Sequence, residues 1–196
     1  MAEMMLRRTR AEQVVPVFRR FLRLFPTPRS LADAPPGSVK RVLRPLGLHW
    51  RAGDVVRAGR LLGREAGGRV PANAEALRAL PGVGEYVARA VACFAFGRPV
   101  AVVDTNTARV VSRFFAIGCR GEPRRSREVA ALLEHLLDRR RPREFNWALI
   151  DLAATVCRPR GPLCSRCPLE DACMKGGVEE CPDPEGSSRT ARGSES

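Results

Sequence analysis

Apolar residues recur along this chain at helical spacing. Between Ala11 and Phe25, the residues Val14, Val15, Val17, Phe18, Phe21, Leu22 and Phe25 cover one broad face and arginines occupy the rest. That is the pattern of an amphipathic helix, which Pro16 kinks or restarts. Ser30 begins a short helix, Pro36 to Leu43 forms another, and Gly47 opens a loop ahead of the Val55, Val56, Leu61, Leu62 pattern. Asn73 suits the N-cap of a helix over Ala74 to Leu80, and the next runs from Glu85 to about Phe96, stopped by Gly97-Arg98-Pro99. Val100 to Val103 is apolar but only four residues long, with no similar run elsewhere to pair with it, so it reads as a loop. Asp104 stands as N-cap ahead of Val110, Val111, Phe114 and Phe115; Ser126 caps a helix to about Leu137; Phe145 to Val156 makes the last long one. The expected fold class is all-α, with short Gly and Pro turns and no repeat of fixed period. After Gly176-Gly177 the composition turns to Pro, Gly, Ser, Thr and Arg without apolar periodicity, so residues 177–196 are expected to be a disordered tail.

One connection stands apart. In Leu80-Pro81-Gly82-Val83-Gly84-Glu85, Pro81 cannot extend the preceding helix, while Gly82 and Gly84 permit positive φ and close backbone approach. The chain should turn sharply and restart as a helix, whose free N–H groups and dipole suit a phosphate. An ordinary helix connection could use the same residues.

Charge changes the picture. The 196 residues hold 34 Lys and Arg against 21 Asp and Glu, a formal net charge of +13 spread along the chain. Codon composition can explain arginine in place of lysine, since only Lys40 and Lys175 are lysines, but not the excess over acids. A polyanion, nucleic acid above all, is the expected partner. No apolar signal region opens the chain and no apolar run approaches bilayer length, so a soluble intracellular protein without membrane contact is expected.

The seven cysteines are an odd number, which argues for ligands or buried thiols rather than a disulfide framework. Four of them, Cys157, Cys164, Cys167 and Cys173, form C-x6-C-x2-C-x5-C, the most specific signal in the chain. Four soft thiolates suit an iron–sulfur cluster or a structural zinc, and their number alone does not choose. Zinc sites more often use two CxxC-type knuckles, and only Cys164 and Cys167 make one. Cys93 and Cys119 read as buried or half-buried thiols, and Cys181 belongs to the tail.

Taken together, Leu80-Pro81-Gly82-Val83-Gly84, then Val103-Asp104, then the cysteine spacing resemble the helix-hairpin-helix DNA glycosylases of the endonuclease III superfamily, from about Ala2 to Cys173. Within that group Ala2 to Thr9, Gly68-Arg69-Val70-Pro71 and Glu144-Phe145-Asn146-Trp147 look most like the thymine/uracil glycosylases of G·T and G·U mismatches, and next most like the mismatch-specific adenine glycosylases. The resemblance implies a six-helix domain over residues 1–103 and a [4Fe–4S] cluster domain over 104–176, with Cys157, Cys164, Cys167 and Cys173 as ligands and the active site in the cleft between them. Met1 falls almost on the family's second helix, so the usual first helix is missing from this sequence.

By the same resemblance Asp104 is the carboxylate beside the sugar, Glu3 the pocket glutamate, Asn106 an active-site asparagine and Tyr86 a wall of the pocket. Plainer roles exist for each: Asp104 and Asn106 in starting a helix, Glu3 frayed at the terminus, Tyr86 in packing. Arg7 and Arg8 match the loop at the gap left by a flipped base, while Gly82, Val83, Gly84 and Arg89 would meet the phosphate backbone. Bifunctional relatives carry a lysine two residues after the second hairpin glycine. Here that residue is Tyr86, which cannot form the Schiff base that strand cleavage needs. The chain also lacks the extra C-terminal domain of typical adenine glycosylases. The expectation is a monofunctional, monomeric glycosylase acting on double-stranded DNA with a mismatched or damaged base, cytoplasmic and nucleoid-associated. Adenine removal and a noncatalytic DNA-binding module are the alternatives.

Overall fold

The helix α1 (Ala2–Met5) opens the chain in the computed structural model, which describes residues 1–6, 9–117 and 123–174. Arg7, Arg8, Cys119, Cys181 and the tail expected over 177–196 lie outside the described residues. The chain divides into two compact units, Met1–Arg98 and Pro99–Ser196.

In the first unit α2 (Ala11–Leu24) runs through Pro16 without a break. It buries Val14, Val17 and Phe21, while the Phe21 and Phe25 rings meet edge to face at 5.1 Å. Helix α3 (Pro28–Ala32) starts earlier than Ser30, because Thr27 and Ser30 cap each other reciprocally: Ser30 N donates to Thr27 Oγ1 and Thr27 N to Ser30 Oγ, both at 3.1 Å. Helix α4 (Pro36–Leu43) and α5 (Ala52–Arg60) follow, the latter continuing as a π-helical turn over Leu61–Glu65. A Cβ at Gly63 would stand 2.9 Å from the Arg29 Cα, so the missing side chain lets this turn lie directly on the α3 backbone. Helices α6 (Ala74–Arg78) and α7 (Glu85–Phe94) flank the hairpin. Phe21, Leu43, Val39, Val42, Val55, Val56 and Val87 meet in one core, on which α1 closes through Met4 and Met5.

The second unit holds α8 (Thr105–Phe114), α9 (Arg127–Leu136) and α10 (Pro142–Thr155). Ala101, Ala108, Val111, Val129 and Leu133 form its core, with Phe145 and Leu149 packed against it. The segment from Pro99 to Val103 belongs here because its backbone is paired here: Ala101 N donates to Glu134 Oε2 at 3.1 Å and Val102 N to Asn146 Oδ1 at 2.8 Å. Asn73, Asp104 and Ser126 are side-chain N-caps, as their spacing suggests. Among the described residues there is no strand, and no helix is long and apolar enough to cross a membrane. The protein is all-α.

Candidate active site and cysteine segment

The hairpin follows from local chemistry. Val83 N donates to Leu80 O at 3.1 Å, closing a turn with Pro81 second and Gly82 third, and Gly82 has φ +75, as a type II turn requires. A Cβ on Gly82 would also meet Asp54 Cβ at 2.8 Å and Met4 Cε at 3.1 Å, so the glycine is needed for space as well as conformation. Gly84 corrects the sequence reading. Its φ of −90 and ψ of 175 are ordinary extended backbone, and nothing lies within 4 Å of its would-be Cβ. It serves as the N-cap of α7, where no side chain caps the helix start.

Around that start, Glu85 accepts from Arg89 Nε at 2.8 Å and from Arg78 at 3.0 Å. The Arg89 hydrogen bond, aided by Arg78, holds the Glu85 carboxyl below its ordinary range. Arg89, expected at the phosphate backbone, is thus tied into an i,i+4 ion pair. Tyr86 is half-buried and packs with Val83 and Met1 against the first unit's core. Glu3 lies half-buried on α1, which packs on both α2 and α7. Burial raises its pKa, with the terminal amine opposing, so this carboxyl holds a proton more readily than an exposed one.

Asp104 stands at the N-terminus of α8. Oδ1 accepts from Asn106 N at 2.9 Å and Thr107 N at 2.7 Å, Oδ2 accepts from Asn106 Nδ2 at 3.0 Å, and Thr107 Oγ1 returns a bond from Asp104 N at 2.9 Å. The capping role therefore exists, but it occupies mainly Oδ1. Oδ2 keeps acceptor capacity beyond the Asn106 amide. The structure brings Asn106 to Asp104.

Three residues were given no role by the sequence reading. Asn146 is fully buried in α10 and aligns the approach to Asp104: besides accepting from Val102 N, its amide donates to Val100 O at 3.1 Å and Pro142 O at 2.8 Å. An asparagine within an apolar helical face was the available signal. Arg109 and Arg113 lie on α8 at i,i+4 spacing. Arg109 donates to Asn106 Oδ1 at 3.0 Å, Ala153 O at 3.0 Å and Cys157 O at 3.1 Å. Arg113 donates to Arg158 O at 2.7 Å and Pro159 O at 3.0 Å, and stands 3.7 Å from Cys157 Sγ. Nothing in their spacing distinguishes them from solvated charges.

None of the four cysteines of the spacing motif is in a disulfide, and each is half-buried. Cys157 follows α10, Cys164 and Cys167 bracket a 3₁₀ turn over Cys164–Arg166, and Cys173 Sγ lies 3.8 Å from Arg113 O. Arg113 therefore touches both ends of the motif, with its guanidinium at Cys157 and its carbonyl at Cys173. Among the described residues no three His, Cys, Asp or Glu stand at the spacing of a single metal ion. Four soft, partly buried thiols beside a guanidinium are a donor set that matches an iron–sulfur cluster in kind.

The chain belongs to the HhH-GPD superfamily of base excision DNA repair proteins, whose model matches residues 1–137. It is 36% identical over 177 residues to the thymine-DNA glycosylase of Aeropyrum pernix, covering 88% of this chain and 79% of that one. It is 41% identical over 173 residues to an adenine DNA glycosylase of Mycobacterium tuberculosis, covering 86% of this chain and 56% of that one. A solved thermostable thymine-DNA glycosylase superposes with a TM-score of 0.80 at 32% identity, covering 89% of this chain and 81% of the other. The protein is a DNA glycosylase of base excision repair.

Proposed function

We propose that the protein hydrolyses the N-glycosidic bond of thymine or uracil mispaired with guanine, and that it leaves an abasic site without cutting the strand. The observation that carries this reading is the Asp104 carboxylate, held by three donors with Oδ2 still able to accept. Base removal from duplex DNA needs a flipped nucleotide and passes through an oxocarbenium-like state, which a fixed carboxylate stabilises. Glu3, protonated more readily because it is buried, suits hydrogen bonding or proton donation to the leaving base. Asn106 steadies Asp104, and Tyr86 walls the base pocket. The phenol at position 86 cannot make the imine on which strand cleavage depends, which supports monofunctional chemistry.

On the DNA side, Gly82, Val83, Gly84 and the α7 N-terminus receive phosphate, with Arg89 nearby and Arg7 and Arg8 at the gap left by the flipped base. Cys157, Cys164, Cys167 and Cys173 would hold a [4Fe–4S] cluster. When bound, it would organise the cysteine segment. A monomeric state and a cytoplasmic, nucleoid-associated location complete the reading, the last supported by the net charge of +13.

Adenine removal is the second reading, favoured by the 41% identity to an adenine glycosylase. One panel of labelled duplexes carrying G·T, G·U, A·G and A·8-oxoguanine, read before and after alkali, separates the two. The expected result is breaks at G·T and G·U after alkali only. Breaks without alkali refute the monofunctional assignment, and excision confined to adenine refutes the thymine/uracil one. Iron analysis should give about four irons with a broad absorption near roughly 400 nm, whereas one equivalent of zinc would overturn the cluster.

A further inference from the structure

Gly82 gives the hairpin more than its turn. With no side chain there, the turn lies directly on α5: a Cβ at Gly82 would stand 2.8 Å from Asp54 Cβ and 3.3 Å from Asp54 Oδ2, with Met4 Cε at 3.1 Å. One oxygen of the Asp54 carboxylate is therefore at the turn. The other, Oδ1, accepts from NH2 of Arg57, the i,i+3 neighbour on the same helix. To make that bond the Arg57 side chain runs back toward the start of α5, so that NH1 comes within 3.8 Å of where a Cβ of Gly53 would stand. The guanidinium is thus brought to the end of α5 that meets the hairpin. A carboxylate on its own beside a phosphate-binding turn would repel the ligand, and here it carries a cation instead. Among the described bonds only NH2 of that cation is engaged, and 63% of the Arg57 side chain is exposed, so donors remain for an anion.

The surroundings single this arginine out. Arg78 and Arg89, at the start of α7, share the one carboxylate of Glu85. Arg64 makes a similarly exposed pair with Asp33, but that pair joins the π-helical turn to the end of α3 and not to the hairpin. We propose that Arg57 is a further phosphate contact, held by Asp54 at the edge of the hairpin and reaching the phosphate next to the one that the hairpin receives. This rests on the reading of the hairpin as a phosphate site. The contact is to the DNA backbone alone, so it serves every sequence equally.

The test is the affinity of the full chain for one undamaged duplex, titrated between roughly 50 and 200 mM salt. Wild type is compared with Arg57→Gln, Asp54→Asn, the double variant and Gly82→Ala. Arg57→Gln binds about tenfold more weakly at the low-salt end, the scale of one charge-assisted hydrogen bond. Its plot of log affinity against log salt is shallower by about 0.9, the share of one phosphate. Asp54→Asn binds at least as tightly as the wild type, because a negative charge beside the phosphates is gone. In that background Arg57→Gln still weakens binding and still lowers the slope. An unchanged slope in Arg57→Gln overturns the proposal. So does a double variant that binds like Asp54→Asn alone, since Arg57 would then do no more than neutralise Asp54. Gly82→Ala separates the two levels. If it binds as tightly as the wild type, the hairpin reading falls and this inference with it, whereas normal binding by Arg57→Gln beside a weakened Gly82→Ala removes Arg57 alone.

Discussion

The hairpin at Leu80–Glu85 and the carboxylate at Asp104 are both short segments that start a helix, yet they are held in different ways. The hairpin is shaped from within: Pro81 and Gly82 set a turn closed by its own Val83–Leu80 bond, and the surroundings ask only for room at Gly82. The approach to Asp104 takes only part of its support from nearby, where Thr107 Oγ1 donates to Val102 O at 3.2 Å. Val100, Ala101 and Val102 depend on Asn146 and Glu134, and Asp104 is reached from α10 through Arg109 and Asn106. A turn proposed to receive a phosphate needs little beyond its own backbone. A carboxylate proposed to meet one atom of a sugar needs a frame brought from elsewhere in the chain.

Six substitutions, in four comparisons, break or sharpen this contrast. The largest effect is expected for Asp104→Asn. At about 4 Å and an effective dielectric near 20, the lost charge interaction of roughly 4 kcal/mol corresponds to about three decades in rate, with DNA affinity retained. Single-turnover excision beside a binding titration measures it. Second is Asn146→Leu, which fills the same space but leaves the buried Val102 N–H without its acceptor. A loss of about 3 kcal/mol in urea unfolding is expected, with a fall in excision rate that is absent if Asn146 only packs.

Third, Gly82→Ala must place a Cβ against Asp54 at positive φ. About 1–2 kcal/mol of stability and a measurable loss of DNA affinity are expected, while Gly84→Ala, with open space and extended backbone, should cost little stability. The smallest effect concerns pH. Glu85 has its pKa lowered by Arg89 and Arg78, so its contribution is present above the unfolded value of 4.5 and is lost as pH falls through the depressed folded value. The pairs are exposed, so the effect is a few tenths of a kcal/mol, and Glu85→Gln should flatten the acid limb of a stability profile by that much. Glu3 runs the other way. Its raised folded pKa makes the folded state lose stability as pH rises from 4.5 through that value, a slope that Glu3→Gln should remove.

Helices were legible wherever apolar periodicity and a capping residue coincided, as at Asn73, Asp104 and Ser126. They slipped where the cap was reciprocal, so that α3 begins with Thr27 rather than at Ser30, and where a proline fitted without a break, as in α2. Of the site, Asp104, Asn106 and the cysteines stood out because their chemistry is written in short motifs. Arg109 and Arg113 did not, because an arginine on a helix face looks the same in sequence whether it meets solvent or a carbonyl more than forty positions away.

By itself the sequence determined the all-α class, the Pro-Gly turn, the Asp104 cap and the spacing of four thiols, since each rests on interactions within a few residues. Only the tertiary structure decided that the fold itself requires glycine at Gly82 and not at Gly84, that Tyr86 packs on a core, and that the loop before Asp104 hangs in part from Asn146. It also decided that one guanidinium joins Asn106 to the start of the cysteine segment. The physical reason is range. Turns and caps are settled by steric limits and hydrogen bonds between near neighbours, whereas the aim of a catalytic side chain is settled by groups that folding brings together from distant positions.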